Sequence, residues 1–186
     1  MGAQTDIHKK LIEASKKGDN RSRRQLYELY ARAMFNICYR MTNNREDAED
    51  ILQEAFIQAF SKLDTFRYES TFGAWLKRIV INNCINAIQK RKVDLTLTDN
   101  LHFYSERSDE SFDEKELPLT SRDIQKAMEQ LPDGGRIVFS LYLLEGYDHV
   151  EISQILGITE STSKSQYMRA KRKIYEILKD KYYEEA

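Results

Sequence analysis

Apolar residues recur along this chain at i, i+3, i+4 and i+7, the repeat of a buried helix face, and no segment alternates as a strand does. That repeat confines the fold to the all-α class. Two prolines and seven glycines in 186 residues leave long helical stretches uninterrupted. The length exceeds one small domain and suits two, and 41% apolar content supplies a core for each.

Residues 5–18 read as a short amphipathic packing helix on Ile7, Leu11, Ile12 and Ala14, closed by Gly18. A longer helix begins at Asn20 and puts Leu26, Leu29, Tyr30, Ala33, Met34, Ile37, Cys38 and Met41 on one buried stripe. After a Thr42-Asn43-Asn44 turn, a third helix buries Ala48, Ile51, Leu52, Ala55, Phe56, Ala59, Phe60 and Leu63. Its opposite side presents Asp50, Gln53, Glu54 and Ile57 at i, i+3, i+4 and i+7. A solvated face accounts for the carboxylates. An exposed Ile57 among them is better explained by a basic protein partner.

Asp64 to Thr71 is too short for a domain linker and too mixed for a helix, so it reads as a loop between packed helices. It holds Phe66, Arg67 and Tyr68. Such a set can clasp an unpaired base, while aromatics flanking a helix also cap cores. The stretch that follows, Phe72 to Lys92, contains no acidic residue. Leu76, Val80, Cys84, Ala87 and Ile88 form its apolar stripe, and Trp75, Arg78, Asn82, Asn86 and Gln89 share another face. An aromatic, a cation and amides in one row suit a single-strand reader. The plainer alternative puts Trp75 in the core, the asparagines in water, and the terminal cations against the helix dipole.

From Val93 to Thr120, eight carboxylates face two cations with no sustained periodicity, giving an acidic flexible linker of net charge −6. Because the whole chain carries −1, the remaining residues sum to +5. The total therefore conceals a net positive charge outside the linker. The second domain opens on a helix with Ile124, Ala127, Met128 and Leu131, broken at Pro132. A second helix runs through Ile137, Val138, Leu141, Tyr142 and Leu144 to Gly146. The segment HVEISQIL, a Gly157-Ile158-Thr159 turn and a helix from Glu160 to about Lys179 then form a helix-turn-helix, capped by Thr159. The last helix packs Ser163, Tyr167, Ala170, Ile174 and Leu178. It offers Thr162, Lys164, Ser165, Gln166 and Arg169 to a DNA groove, followed by Lys171, Arg172 and Lys173.

No Walker loop, GxSxG sequence or dinucleotide fingerprint is present, and His8, His102 and His149 are scattered without metal-ligand spacing. An enzyme is not expected, nor a metal or other cofactor. Cys38 and Cys84 lie in apolar helical patterns and read as buried thiols. There is no secretory signal pattern and no run of about 18 apolar residues, so a cytoplasmic protein without membrane insertion is expected.

Four stretches, in this order, resemble the two-domain bacterial sigma factors of the extracytoplasmic-function (ECF) class within the sigma-70 superfamily. They are DAEDILQEAF at Asp47–Phe56, WLKRIVINN at Trp75–Asn83, LPDGGRIVFSL at Leu131–Leu141 and GITESTSKSQYMRAKRKI at Gly157–Ile174. The resemblance spans nearly the whole chain except residues 1–15 and the linker. It implies a transcription initiation factor in three parts: residues 1–92, the 93–120 linker and 121–186.

By this likeness, Asp47, Asp50, Gln53, Glu54 and Ile57 dock on the clamp helices of the largest subunit of core RNA polymerase, and the second domain meets the flap of the second-largest. Phe66, Arg67, Tyr68, Trp75, Lys77, Arg78, Asn82 and Asn86 would face the melted minus-ten element of promoter DNA. Ser161, Thr162, Lys164, Ser165, Gln166, Arg169, Arg172 and Lys173 would face the minus-thirty-five duplex. The acidic linker would lie in the polymerase's basic nucleic-acid channels, and an anti-sigma factor is a further implied partner.

The chain departs from the family at the recognition helix. Relatives commonly read G-T-V-K-S-R where this chain has Ser161 to Gln166, which removes an aliphatic core residue and a cation. Asn86 also stands where an acidic residue is frequent. Promoter sequence is therefore not transferable. A helix-turn-helix repressor or activator that works without core polymerase, and a purely helical adaptor, are the competing readings. The first two motifs have no reason to occur in such a regulator, and no repeat period of 30 to 50 residues supports an adaptor.

Overall fold

The structure, a computed structural model, describes the backbone of residues 8–95 and 120–184 and the side chains of 8–90 and 120–180. Ile7, most of the expected linker, and the side chains of Arg91 and Lys92 fall outside the described residues. Among the described residues the regular elements are all helical. Contacts divide the chain into two units on either side of Ile88.

The first unit contains α1 (Lys9–Lys16), α2 (Asn20–Thr42), α3 (Arg45–Ser61), a 3₁₀ turn at Leu63–Thr65, and α4 (Phe72–Leu95) as far as Ile88. Each start has a local cause. The Asp19 carboxylate accepts the Arg21 and Ser22 N–H groups at the head of α2. At its other end Asn43 takes a left-handed φ of 52° and donates its N–H to the Tyr39 carbonyl at 2.8 Å. Asn44 then caps α3 by accepting the Asp47 N–H at 3.1 Å, with Glu46 and Asp47 in the positive first turn. Thr71 accepts the Ala74 N–H at 3.2 Å and so opens α4.

Ile12, Leu26, Ile37, Cys38 and Met41 meet Ala48, Ile51, Leu52, Ala55, Phe56 and Ala59 in the core. Full burial of each large member contributes about 1.5–3 kcal/mol. Phe72 is fully buried beneath Tyr30, Phe66 and Trp75, with ring centroids 5.2, 5.9 and 5.7 Å away. A Cβ on Gly73 would lie 3.0 Å from the Tyr30 ring, so only glycine fits there without displacing that ring.

Several stripe positions differ from expectation. Leu29 and Ala33 are exposed, while Ile81 and Ile85 are buried beyond the expected α4 stripe. Asn82 and Asn86 interrupt the apolar pattern and hide that second buried edge. Within the described residues the first helix runs from Lys9 to Lys16, and Gly18 takes a φ of 90° just beyond it, in keeping with its expected place at the helix end.

The second unit holds the expected four helices: α5 (Ser121–Glu129), α6 (Asp133–Phe139), α7 (His149–Leu156) and α8 (Glu160–Glu184). A π-helical turn at Ser140–Leu144 extends α6. Reciprocal capping boxes, Thr120 with Asp123 and Asp148 with Glu151, start α5 and α7. Gly157 ends α7 with a left-handed φ of 66°, and Thr159 accepts the Thr162 N–H at 3.0 Å to start α8.

The long α8 is the spine on which α5, α6 and α7 pack. Ala127, Met128, Leu131 and Phe139 close on its Ala170, Ile174 and Leu178. Arg136 is buried at 3% exposure, where its guanidinium donates to the Leu131 carbonyl at 3.0 Å and to Asp133 at 2.6 Å. It ties the end of α5 to the start of α6.

Candidate protein and nucleic-acid interfaces

The α3 surface is the simplest of the three. Asp50, Gln53, Glu54 and Ile57 are all exposed along one stripe, and Ile57 is 71% exposed. Asp47, in the first turn, is half-buried. Leaving a large aliphatic group in water beside two carboxylates gains nothing for the fold. The stripe suits a partner with an apolar seat and basic surroundings.

The loop after α3 requires a correction. Phe66 is only 3% exposed and sits 5.4 Å from the Trp75 ring, so it belongs to the core and does not face a base. The aromatic cluster over Phe72 draws it inward. Tyr68 is half-buried, its ring 4.7 Å from Phe66, and Arg67 is exposed. Trp75 is half-buried as the lid of the same cluster. Along α4, Arg78, Asn82, Asn86 and Gln89 form an exposed polar row, with Lys77 half-buried beside it. The row can hydrogen-bond bases and approach phosphate without disturbing the core.

On α8, Ser161, Ser165, Arg169 and Arg172 line one exposed face, with Thr162 and Lys164 exposed beside it. Lys164 pairs with Glu160 at 2.6 Å, and the Thr162 hydroxyl is 2.8 Å from that of Thr159. Met168, 53% exposed on the same side, is a contact candidate that charge and amide content did not single out. One assignment changes. Gln166 is half-buried against α6, where a Cβ on Gly134 would meet its side chain at 3.6 Å. Lys173, exposed at the edge of the face beside Arg169, pairs with Glu176 at 3.5 Å and also borders a cleft lined by Asp123 and Lys126 of α5 and by Gln130.

The unusual Ser163 has a structural explanation. It is fully buried, and its hydroxyl lies 2.9 Å from Nδ1 of His149, whose ring stacks 4.3 Å from Tyr142. A polar contact between α7 and α8 thus stands where the family resemblance implies an aliphatic residue. Burial raises the Tyr167 hydroxyl's pKa in the same corner, with Tyr142 adding to the effect. Among the described residues no group of His, Cys, Asp and Glu could hold a metal ion, and no helix is long and apolar enough to cross a membrane.

Family comparisons fall on these surfaces. The Sigma-70 region 2 family matches residues 26–93, and the Sigma-70, region 4 family matches 121–174. The ECF RNA polymerase sigma factor SigW of Bacillus subtilis is 33% identical over 181 residues, covering 92% of this chain and 97% of the relative. The chain belongs to the ECF sigma factors of the sigma-70 family.

This sigma factor is also 29% identical to the ECF RNA polymerase sigma-E factor of Escherichia coli K12 over 173 residues, covering 88% of this chain and 90% of that one. Among solved structures, the sigma factor RpoE of Bartonella quintana, crystallised with the anti-sigma factor NepR, aligns with a TM-score of 0.52 at 26% identity. That alignment covers 84% of this chain and 96% of RpoE. CnrH, solved with the cytosolic domain of CnrY, shares the fold at a TM-score of 0.53 and 20% identity, covering 94% and 99% of the two chains. The sigma factor directs core RNA polymerase to promoters.

Proposed function

We propose that this sigma factor divides its work among three surfaces. Asp50, Gln53, Glu54 and Ile57 of α3, with Asp47 at their edge, bind the clamp helices of the polymerase's largest subunit. Arg67, Arg78, Asn82 and Asn86, flanked by Trp75 and Lys77, hold the separated minus-ten strand, with Tyr68 supporting the loop that carries Arg67. Ser161, Thr162, Lys164, Ser165, Arg169 and Arg172 read the minus-thirty-five element as duplex. Residues 1–92 and 121–186 are the two working domains, joined by the acidic 93–120 segment, whose charge suits a basic nucleic-acid channel. The polymerase performs the chemistry of RNA synthesis in the cytoplasm, and the flap of its second-largest subunit receives the second domain.

The observation that carries this reading is the exposed α3 stripe. An ordinary helix-turn-helix repressor has no use for Ile57 standing 71% exposed between carboxylates. Captured unpaired bases offset the few kcal/mol that unstacking costs, which is how binding to a single strand opens a duplex. An anti-sigma partner is supported by the RpoE likeness, since RpoE was solved in complex with NepR.

Titration of labelled full-length chain with core polymerase tests the docking assignment. Asp50→Arg and Glu54→Lys are expected to abolish binding while the far-ultraviolet circular dichroism stays unchanged. Undiminished affinity in both variants contradicts it.

A further inference from the structure

The first helix, α1, lies outside the region 2 match at 26–93, yet it reaches the loop assigned to the minus-ten element. Lys16 donates from Nζ to the Phe66 carbonyl at 3.0 Å, fifty residues along the chain. The Tyr68 hydroxyl donates to Glu13 Oε1 at 2.5 Å. Lys9 and Lys16 place their ammonium groups 5.4 and 4.9 Å from the centre of the Tyr68 ring, within cation–π range. Lys16 also pairs with Glu13 at 3.6 Å, so both ends of the grip are held by the same pair.

What is gripped is a residue in an uncommon conformation. Tyr68 has a φ of 61°, in the left-handed region that a bulky side chain avoids unless its surroundings fix it. Phe66 packs beneath the ring, and Glu13 and the two lysines hold the hydroxyl and the ring. The Tyr68 hydrogen bond is the main reason the Glu13 carboxyl's pKa is held below its usual value; desolvation opposes it, and Lys16 and Lys9 assist. Arg67, between Phe66 and Tyr68, is left exposed, as are Glu69 and Ser70 beyond them.

We propose that α1 is a positioning clamp for the minus-ten loop: Glu13, Lys9 and Lys16 fix Tyr68 and the Phe66 carbonyl, and so aim Arg67 at the unpaired base. This rests on the assignment of that loop to the minus-ten element. Tyr68 is then a positioning residue, and Arg67 the loop's specificity-determining contact. Tethering a flexible loop in its bound geometry lowers the entropy lost on binding and restricts which base fits.

Two measurements on the full-length chain test the clamp. In the free protein, Tyr68→Phe and Glu13→Ala are expected to speed amide hydrogen exchange across 64–71 and leave α3 and α8 unaltered, whereas Glu13→Gln, which keeps an acceptor, stays near wild type. With core polymerase, transcription is compared on a promoter set differing one base at a time through the minus-ten element. The same two variants should change the preference at one position by about 3- to 10-fold without changing core affinity, on the scale of a lost hydrogen bond. Arg67→Ala should erase that preference.

A uniform fall on all promoters marks a general structural role and overturns the proposal. Loss of the preference in Tyr68→Ala with wild-type behaviour in Tyr68→Phe and Glu13→Ala marks Tyr68 as a direct DNA contact, and also overturns it. If wild-type protein directs no transcription, the promoter assignment fails, and hydrogen exchange still decides whether the clamp exists.

Discussion

Truncation of Ile57 tests the polymerase-docking surface with little risk to the fold. Ile57→Ala removes about three methylene equivalents, worth about 2.4 kcal/mol on full burial. Because the residue is 71% exposed in the free chain, about 1.7 kcal/mol of that is available to a partner that covers it. Loss of core affinity should therefore be about 10- to 20-fold. Alanine is the better helix former at an exposed position, so the melting temperature should hold or rise slightly. Competition between labelled wild-type chain and each variant for a fixed amount of core polymerase measures the change directly. Ile57→Ala should weaken binding equally at low and high salt, whereas Asp50→Asn should lose most of its effect as salt rises, since screening acts on charge and not on apolar burial. A dissociation constant within about 2-fold of wild type for Ile57→Ala would show that the side chain stays exposed in the complex and would refute its place in the docking surface.

On the promoter side, Arg169→Ala and Arg172→Ala should each lower the slope of log affinity against log salt on duplex minus-thirty-five DNA by about 0.9 per lost phosphate contact. An unchanged slope in both would remove that face of α8 from the DNA. His149→Ala strands the buried Ser163 hydroxyl and should cost the second unit about 1–3 kcal/mol, read as lost hydrogen-exchange protection across His149–Leu156. Ser163→Val in that background should restore most of it, and no recovery would argue against the pairing.

Acid should disable the α2 cap. The Ser22 hydroxyl and then its N–H hold the Asp19 carboxyl below the ordinary aspartate value. Its contribution is complete above that ordinary value and is lost as pH falls through the depressed one. Asp19→Ala should lower the first unit's melting temperature at neutral pH and make no difference in strong acid. An equal loss at both contradicts the cap.

The helices are legible in the sequence wherever one face alone is buried. Along α3 the period separates Ile51, Leu52, Ala55 and Phe56 from Asp50, Gln53 and Glu54, and the structure keeps that division. The period fails on α4, where Asn82 and Asn86 interleave with Ile81 and Ile85 and two buried edges flank one polar row. Caps at Asn44, Thr159 and Gly157 follow from local chemistry and are readable, because the partner atoms lie within a turn.

Long-range contacts leave no such mark. Phe66 has the composition of a base-stacking loop residue, and only the aromatic cluster around Phe72 turns it inward. The Glu13–Tyr68 and His149–Ser163 contacts join residues whose spacing carries no period. The serine where the family resemblance implies an aliphatic residue is the one visible hint of the second.

Direction of polymerase to promoters through two DNA-reading surfaces is tested most directly by in vitro transcription with core polymerase on genomic fragments, with start sites mapped in the presence and absence of the protein. New start sites should appear that share one upstream duplex element and one melted element. They should be lost together with Asp50→Arg and weakened by Arg78→Ala or Arg169→Ala. Core polymerase that binds the protein and gains no start site on any fragment would contradict that role.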